Sequence, residues 1–109
     1  MIPTADNHLV LSGQVLNRAE TRYNPAGLPI TRLLLEHRSR QVEAGIPREA
    51  HCRIEVLVCG ELLQQQLQGI GIGAQVRVQG FLTRADHRQG QDRLVLHAAC
   101  IESLATHSE

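Results

Sequence analysis

Apolar and polar residues alternate along much of this chain, and the alternation is interrupted at a few glycine- and proline-rich points. "HLVLSGQVL" (8–16) is rich in leucine and valine and predicts a first strand, with Gly13 where a strand can kink or bulge. "YNPAGLP" (23–29) holds two prolines and a glycine and predicts a turn. In "ITRLLLEHRSR" (30–40), Thr31, Leu33, Leu35 and His37 share one face of a strand, and Arg32, Leu34, Glu36, Arg38 and Arg40 share the other. "QVEAGIP" (41–47) reads as loop. "AHCRIEVLVC" (50–59) is a third strand with Cys52, Ile54, Val56 and Val58 on one side.

"GELLQQQLQGIG" (60–71) is the helix candidate: Leu63 and Leu67 lie four apart, with Leu62 and Ile70 alongside, so one apolar stripe should pack down. "AQVRVQGFL" (74–82) alternates cleanly, Val76, Val78, Gly80 and Leu82 against Arg77, Gln79 and Phe81. "TRADHRQGQD" (83–92) predicts an exposed hairpin loop. "RLVLHAACIESL" (93–104) predicts the last strand, and 105–109 a frayed end. Five strands with one helix after the third is the order of an all-β, five-stranded OB-fold barrel, whose oligonucleotide site lies on its second and third strands and their loops. An SH3-like barrel or a small sandwich is also compatible.

The 109 residues are enough for one domain with a single core, expected to span about 7–104. Eleven basic residues balance eleven acidic ones, so the global field points to no polyanionic partner. Every one of the eleven is arginine, a cation that binds phosphate bidentately and stacks flat on a base. Aromatic residues are only 2%, Tyr23 and Phe81 with no Trp, so stacking platforms are scarce. Cys52, Cys59 and Cys100 form an odd set without a C-x-x-C pair, which predicts free thiols in a reducing compartment. The start "MIPTADN" has neither a basic n-region nor an apolar run, and no stretch reaches the ~18 apolar residues of a membrane span. A cytoplasmic protein without membrane association is expected.

Little here suggests chemistry. His51 and Cys52 point to opposite faces of a strand, as do Cys52 and Cys59, so no metal is expected and the cysteines read as buried small side chains. "GIGIG" (69–73) follows a helix rather than opening one, the reverse of what a phosphate loop needs. His37, His51, His87 and His97 occupy no triad or elbow context, and His97 reads as a structural histidine. Neither an enzyme nor a cofactor is expected.

The arginines gather where an OB-fold has loops: Arg18 and Arg22 lead into the first, Arg38, Arg40 and Arg48 flank the second, and Arg84, Arg88 and Arg93 flank the last. On composition alone, such arginines are more often solvated than bound. The blocks "LVLSGQV", "LLLEHRSRQVEAGIPREAHC", "GAQVRVQGFLTR" and "LVLHA" resemble the primosomal replication protein N (PriB) family of bacterial replication restart, from about Asn7 to Leu104. "LEHRS" followed by "EAG" and "AHC" is the specific part. The resemblance implies an OB-fold homodimer that binds single-stranded DNA and bridges the PriA helicase to the DnaT loading step. Carried over by position, it implies DNA contacts at Arg22, Arg38, His51, Arg88 and Arg93, with Arg18, Arg40, Ile46, Arg48 and Arg84 as secondary candidates.

This chain departs from familiar members at three positions: His51 replaces a stacking tryptophan, Ile46 a phenylalanine, and Asp86 a lysine. Stacking is worth about 1–3 kcal/mol per base, so modest affinity is expected. Glu20, Glu43, Glu49 and Glu55 are expected to lie off the groove or to face a partner. An adaptor dimer whose OB face serves protein contacts, with little DNA binding, stays open as the alternative. A genome-coating single-strand binder is disfavoured because no acidic tail follows residue 104.

Overall fold

Strands with an apolar side chain at every second position must bury one face, and here five of them do so by closing on themselves. The computed structural model describes residues 4–85 and 93–104. In chain order these form β1 (Leu9–Arg18), β2 (Arg22–Tyr23), β3 (Pro29–Glu43), β4 (Ile46–Cys59), α1 (Glu61–Gln66), β5 (Gln75–Arg84) and β6 (Leu94–Ser103). The sheet runs β1-β5-β6-β4-β3-β2, and a further β1–β3 pairing closes the barrel. All pairs are antiparallel except β4 with β6. This is the expected OB-fold barrel of β1, β3, β4, β5 and β6, with β2 a two-residue addition on the edge of β3 that the turn-rich sequence did not announce.

Closure depends on β1 serving two partners. Leu9–Gln14 pairs with β5, and Gln14–Arg18 pairs with β3. Gly13 lies at the exchange, where a Cβ would stand 2.3 Å from the Glu36 carbonyl oxygen. The register shift itself falls two residues later, between Val15 and Asn17.

The buried hydrophobic residues, among them Val15, Leu33, Leu35, Val56, Val58, Val76, Val78 and Leu96, are all aliphatic. Leu33, Leu35, Val56, Val58, Val76 and Val78 fall on the strand faces that alternation assigns, whereas β6 buries the consecutive Val95 and Leu96. The helix is shorter than its sequence suggests. It stops at Gln66, and Leu67 and Ile70 enter the core from the turns that follow. Leu62, one residue off the Leu63–Leu67 stripe and so about 100° around the helix, is 77% exposed and does not pack down. Gln64 binds the helix to the barrel: its Oε1 accepts from the buried Thr31 hydroxyl at 3.0 Å and its Nε2 donates to the Val58 carbonyl at 3.2 Å. The "GIGIG" segment is turn, with φ of 79° at Gly69 and 93° at Gly73.

The main correction concerns 41–47, which is strand and tight turn rather than loop. Pairing of β3 with β4 continues unbroken from Ile30↔Cys59 to Glu43↔Ile46. Ala44 (φ 53°) and Gly45 (φ 76°) make the two-residue turn, both in the left-handed region that such hairpins require. β1 accompanies β3 only to Glu36, and β6 accompanies β4 only from Glu55. Beyond those points the two strands run on as a ribbon with no further strand beside it among the described residues. Both of its faces are wet, so no apolar alternation marked it. The expected 83–92 loop begins with β5 still running to Arg84 and is closed at its base by a 2.7 Å bond from the Ala85 amide to the Arg93 carbonyl; residues 86–92 lie outside the described residues, as do 105–109. Among the described residues no helix is long and apolar enough to cross a membrane.

Candidate nucleic-acid interface

Residues directly opposite on paired strands share a face, so the outward side chains of β3 and β4 form matched rows: Arg32 with Leu57, Leu34 with Glu55, Glu36 with Arg53, Arg38 with His51, and Arg40 with Glu49. Two glutamates organise this face. Glu36 Oε2 accepts from His51 Nε2 at 2.8 Å and from Arg53 Nε at 3.3 Å, with Arg38 at 3.9 Å. The His51 hydrogen bond is the largest influence holding its carboxyl below the ordinary value of 4.5; partial burial opposes this, and Arg53 and Arg38 reinforce it. Glu55 takes Arg32 at 3.1 Å on Oε2 and Arg93 at 3.5 Å on Oε1. That Oε1 is sealed from solvent and accepts no hydrogen bond of good geometry.

Arg32 sits at the junction. It lines a hollow of about 400 Å³ with Leu34, Arg53, Glu55 and Arg93, and a second of about 390 Å³ with Leu57, Arg84, Arg93 and His97. A third, of about 180 Å³, it shares with Arg22 and Tyr23. Arg22 pairs with Ile30 and therefore joins the same face. One surface thus carries Arg22, Arg32, Arg38, Arg53, Arg84 and Arg93, interrupted by Glu36 and Glu55.

The expected site residues divide. Arg22, Arg38, His51, Arg84 and Arg93 come to this surface, and Arg40 extends it along the ribbon. Arg88 lies outside the described residues. Ile46 and Arg48 stand opposite Glu43 and Gln41, on the other face of the ribbon, where Arg48 pairs with Glu43 at 2.9 Å. A period of two separates them from Arg38 although they are near it in sequence. Arg18 turns away: its guanidinium donates to the carbonyls of Leu67 (3.2 Å) and Ile70 and caps the segment after the helix. Of the glutamates expected to lie off the groove or to face a partner, Glu55 lies inside it and Glu49 stands beside Arg40 on the same face of the ribbon, while Glu43 is on the far face. Cys52, expected to be buried, is exposed. No cluster of three or more metal-ligating side chains occurs among the described residues.

Sequence reasoning passed over Arg32 and Arg53, although the signal was present: alternation through "ITRLLLEHR" and "AHCRIEV" aligns them with Arg38 and His51. It also left out the aromatics. Tyr23 is 68% exposed beside Arg22, and Phe81 stacks on His97 with ring centroids 5.0 Å apart and planes 9° from parallel. His97 is thus half of an aromatic pair on the outside of the barrel.

A barrel of this topology with a basic outer face defines the OB-folds of single-strand binding proteins, and residues 7–100 match the model of a single-strand binding protein family. The replication restart protein PriB of Photorhabdus laumondii is 45% identical over 96 residues, 88% of this chain and 91% of that protein. That of Erwinia tasmaniensis is 43% identical over the same extent. Matches of this identity and coverage mean that the chain belongs to the PriB family of replication restart proteins. Among solved structures, the PriB protein of Ralstonia solanacearum superposes with a TM-score of 0.77 at 32% identity, covering 92% of this chain and all of that one. The single-stranded DNA-binding protein of Plasmodium falciparum, solved in complex with single-stranded DNA, gives 0.75 at 14% identity over 96% of this chain and all of that one, a likeness of fold.

Proposed function

We propose that this protein binds single-stranded DNA as an accessory factor of replication restart, acting in the cytoplasm as a homodimer that bridges the PriA helicase to DnaT and helicase loading. The observation that carries the reading is the arginine surface: Arg22, Arg32, Arg38, Arg53 and Arg93 share one outward face along β2, β3, β4 and the start of β6. Membership in the PriB family supports the setting. The face is built to hold a chain of phosphates: it has cations in a row and shallow hollows between them, and catalysis has no part in the reading. Glu36 and Glu55 must be bypassed or displaced by the incoming phosphates, which makes the binding modest. The same two glutamates favour the second reading, an adaptor dimer that meets proteins rather than DNA on this face.

Fluorescence anisotropy with labelled oligo(dT), and with duplex of the same length, separates the two across a salt series. Single-strand binding should weaken steeply with salt, each neutralised phosphate contributing roughly 0.7 to the slope. Arg38→Ala and Arg93→Ala should each flatten that slope and weaken binding for all sequences alike. Equal affinity for duplex, or affinity indifferent to salt, would sink the DNA reading and leave the adaptor.

A further inference from the structure

We propose that the stacked Phe81–His97 pair is a base-stacking platform, extending the single-strand site from the β3–β4 face across β6 onto β5. This inference rests on the reading of the protein as a single-strand binder and adds to it a contact outside the residues that the family resemblance supplies.

The first observation is where the aromatic residues are. The chain has one Phe, one Tyr and no Trp. Aromatic side chains ordinarily dominate cores, yet here the buried hydrophobic residues are all aliphatic and Phe81 remains 47% exposed. The second is geometry: the planes of Phe81 and His97 are nearly parallel, 9° apart with centroids at 5.0 Å, so each ring covers one face of the other and the stack, fixed by two paired strands, leaves an outer ring face on which a base can continue it. The third is position. Phe81 pairs with His97, His97 with Leu57, and Leu57 with Arg32, giving one row across β5, β6, β4 and β3. The hollow of about 390 Å³ beside His97 is walled by Arg32, Arg84 and Arg93. A flat ring system beside guanidinium groups is the combination that binds single strands without sequence preference, the rings taking a base and the cations its phosphates.

A protein partner would seek a continuous apolar patch instead. On this face the strand neighbours of Phe81 are Gln79 and Thr83, both polar. Lone aromatic rings among polar groups suit a stacked base better than a docked hydrophobic surface. The platform also bears on His51: where the β4 position offers only an imidazole, the row at Phe81 supplies a second place for a base to stack.

The test compares wild type with Phe81→Leu and Phe81→Trp on three strands of equal length: oligo(dT), an abasic strand and duplex. Circular dichroism and light scattering are run on the same samples. Phe81→Leu should weaken oligo(dT) binding about fivefold or more, the factor that corresponds to the ~1 kcal/mol lower bound for one stacked base. The salt slope should stay the same, because no phosphate contact is lost. The abasic strand should bind both proteins equally, and Phe81→Trp should tighten oligo(dT). Failure of wild type to bind any single strand would overturn the functional reading and this inference with it. Normal wild-type binding with unchanged oligo(dT) affinity in both variants overturns this inference alone. So does a variant whose assembly state changes while its affinity does not, which would make the pair a protein contact. If Phe81→Leu does not fold, Phe81→Trp decides by itself: no gain on oligo(dT), or an equal gain on the abasic strand, rejects the platform.

Discussion

Glu36 is an anion at the centre of a surface proposed to bind a polyanion, and its neighbours explain how it can stay there. His51, Arg53 and Arg38 surround it and keep its carboxyl below 4.5, so it remains charged well into mild acid. A folded-state value below the unfolded one means that its contribution to stability is present above about pH 4.5 and is lost as pH falls through the lowered folded value. Denaturant midpoints followed downward from pH 5 should therefore fall more steeply for wild type than for Glu36→Gln. The same variant removes a negative charge from the face and should bind oligo(dT) about threefold more tightly at neutral pH, since exposed charge pairs are individually weak. His51 carries a second expectation. His51→Trp should raise affinity for oligo(dT) by adding a larger stacking face. If His51→Trp leaves that affinity unchanged, DNA does not reach this position.

The β3–β4 ribbon is the element that gives the site its reach. It leaves the barrel after Glu36 and Glu55, carries Arg38, Arg40 and His51 on one face, and turns at Ala44–Gly45. Ala44 at φ 53° holds a conformation that asparagine tolerates better than alanine. Ala44→Asn should therefore firm the ribbon: amide exchange between about residues 39 and 50 should slow severalfold, while the melting temperature of the barrel changes little. Beyond the bond from His37 Nδ1 to the Ser12 carbonyl at its base, the ribbon has no further strand paired beside it among the described residues, so its stability is expected to be local. A large rise in melting temperature without a change in ribbon exchange would show that the turn is coupled to the core instead.

At the scale of the whole molecule, the proposed homodimer has a structural opening. From Leu9 to Leu11, β1 has β5 on one side and no strand on the other among the described residues. An open strand edge of this kind is a template for a second chain. Within a strand, successive residues point their N–H and C=O groups to alternate edges. Ser12, whose carbonyl accepts from His37 Nδ1 at 2.6 Å, marks the edge away from β5, and Val10 points the same way. Light scattering at micromolar concentration should give a dimer, and Val10→Pro, which removes an N–H from that edge only, should give a monomer that keeps its fold. A wild-type monomer, or a dimer indifferent to Val10→Pro, would place the interface elsewhere or abolish it.

What the sequence determined by itself was set by period. Alternation of two in β3, β4 and β5 assigned the core faces correctly, from Leu33 and Leu35 to Val76 and Val78, because a half-buried strand has to write its burial into every second residue. The order of elements pointed to the OB-fold barrel but left an SH3-like barrel or a small sandwich open, and the blocks around "LEHRS" were enough for the family. Tertiary structure alone decided the rest. Only the barrel's limited length shows that 41–47 continues as a ribbon, because a segment wet on both faces has no pattern to read. Only strand pairing separates Arg48 and Ile46 from Arg38, and only the fold brings Arg18 to the carbonyls after the helix. Phe81 and His97 are sixteen positions apart in sequence, and nothing local to either makes them a pair; the register of β5 on β6 does. A side chain's burial is recorded in its own neighbourhood along the chain, but its partner across a sheet is recorded nowhere except in the closed barrel.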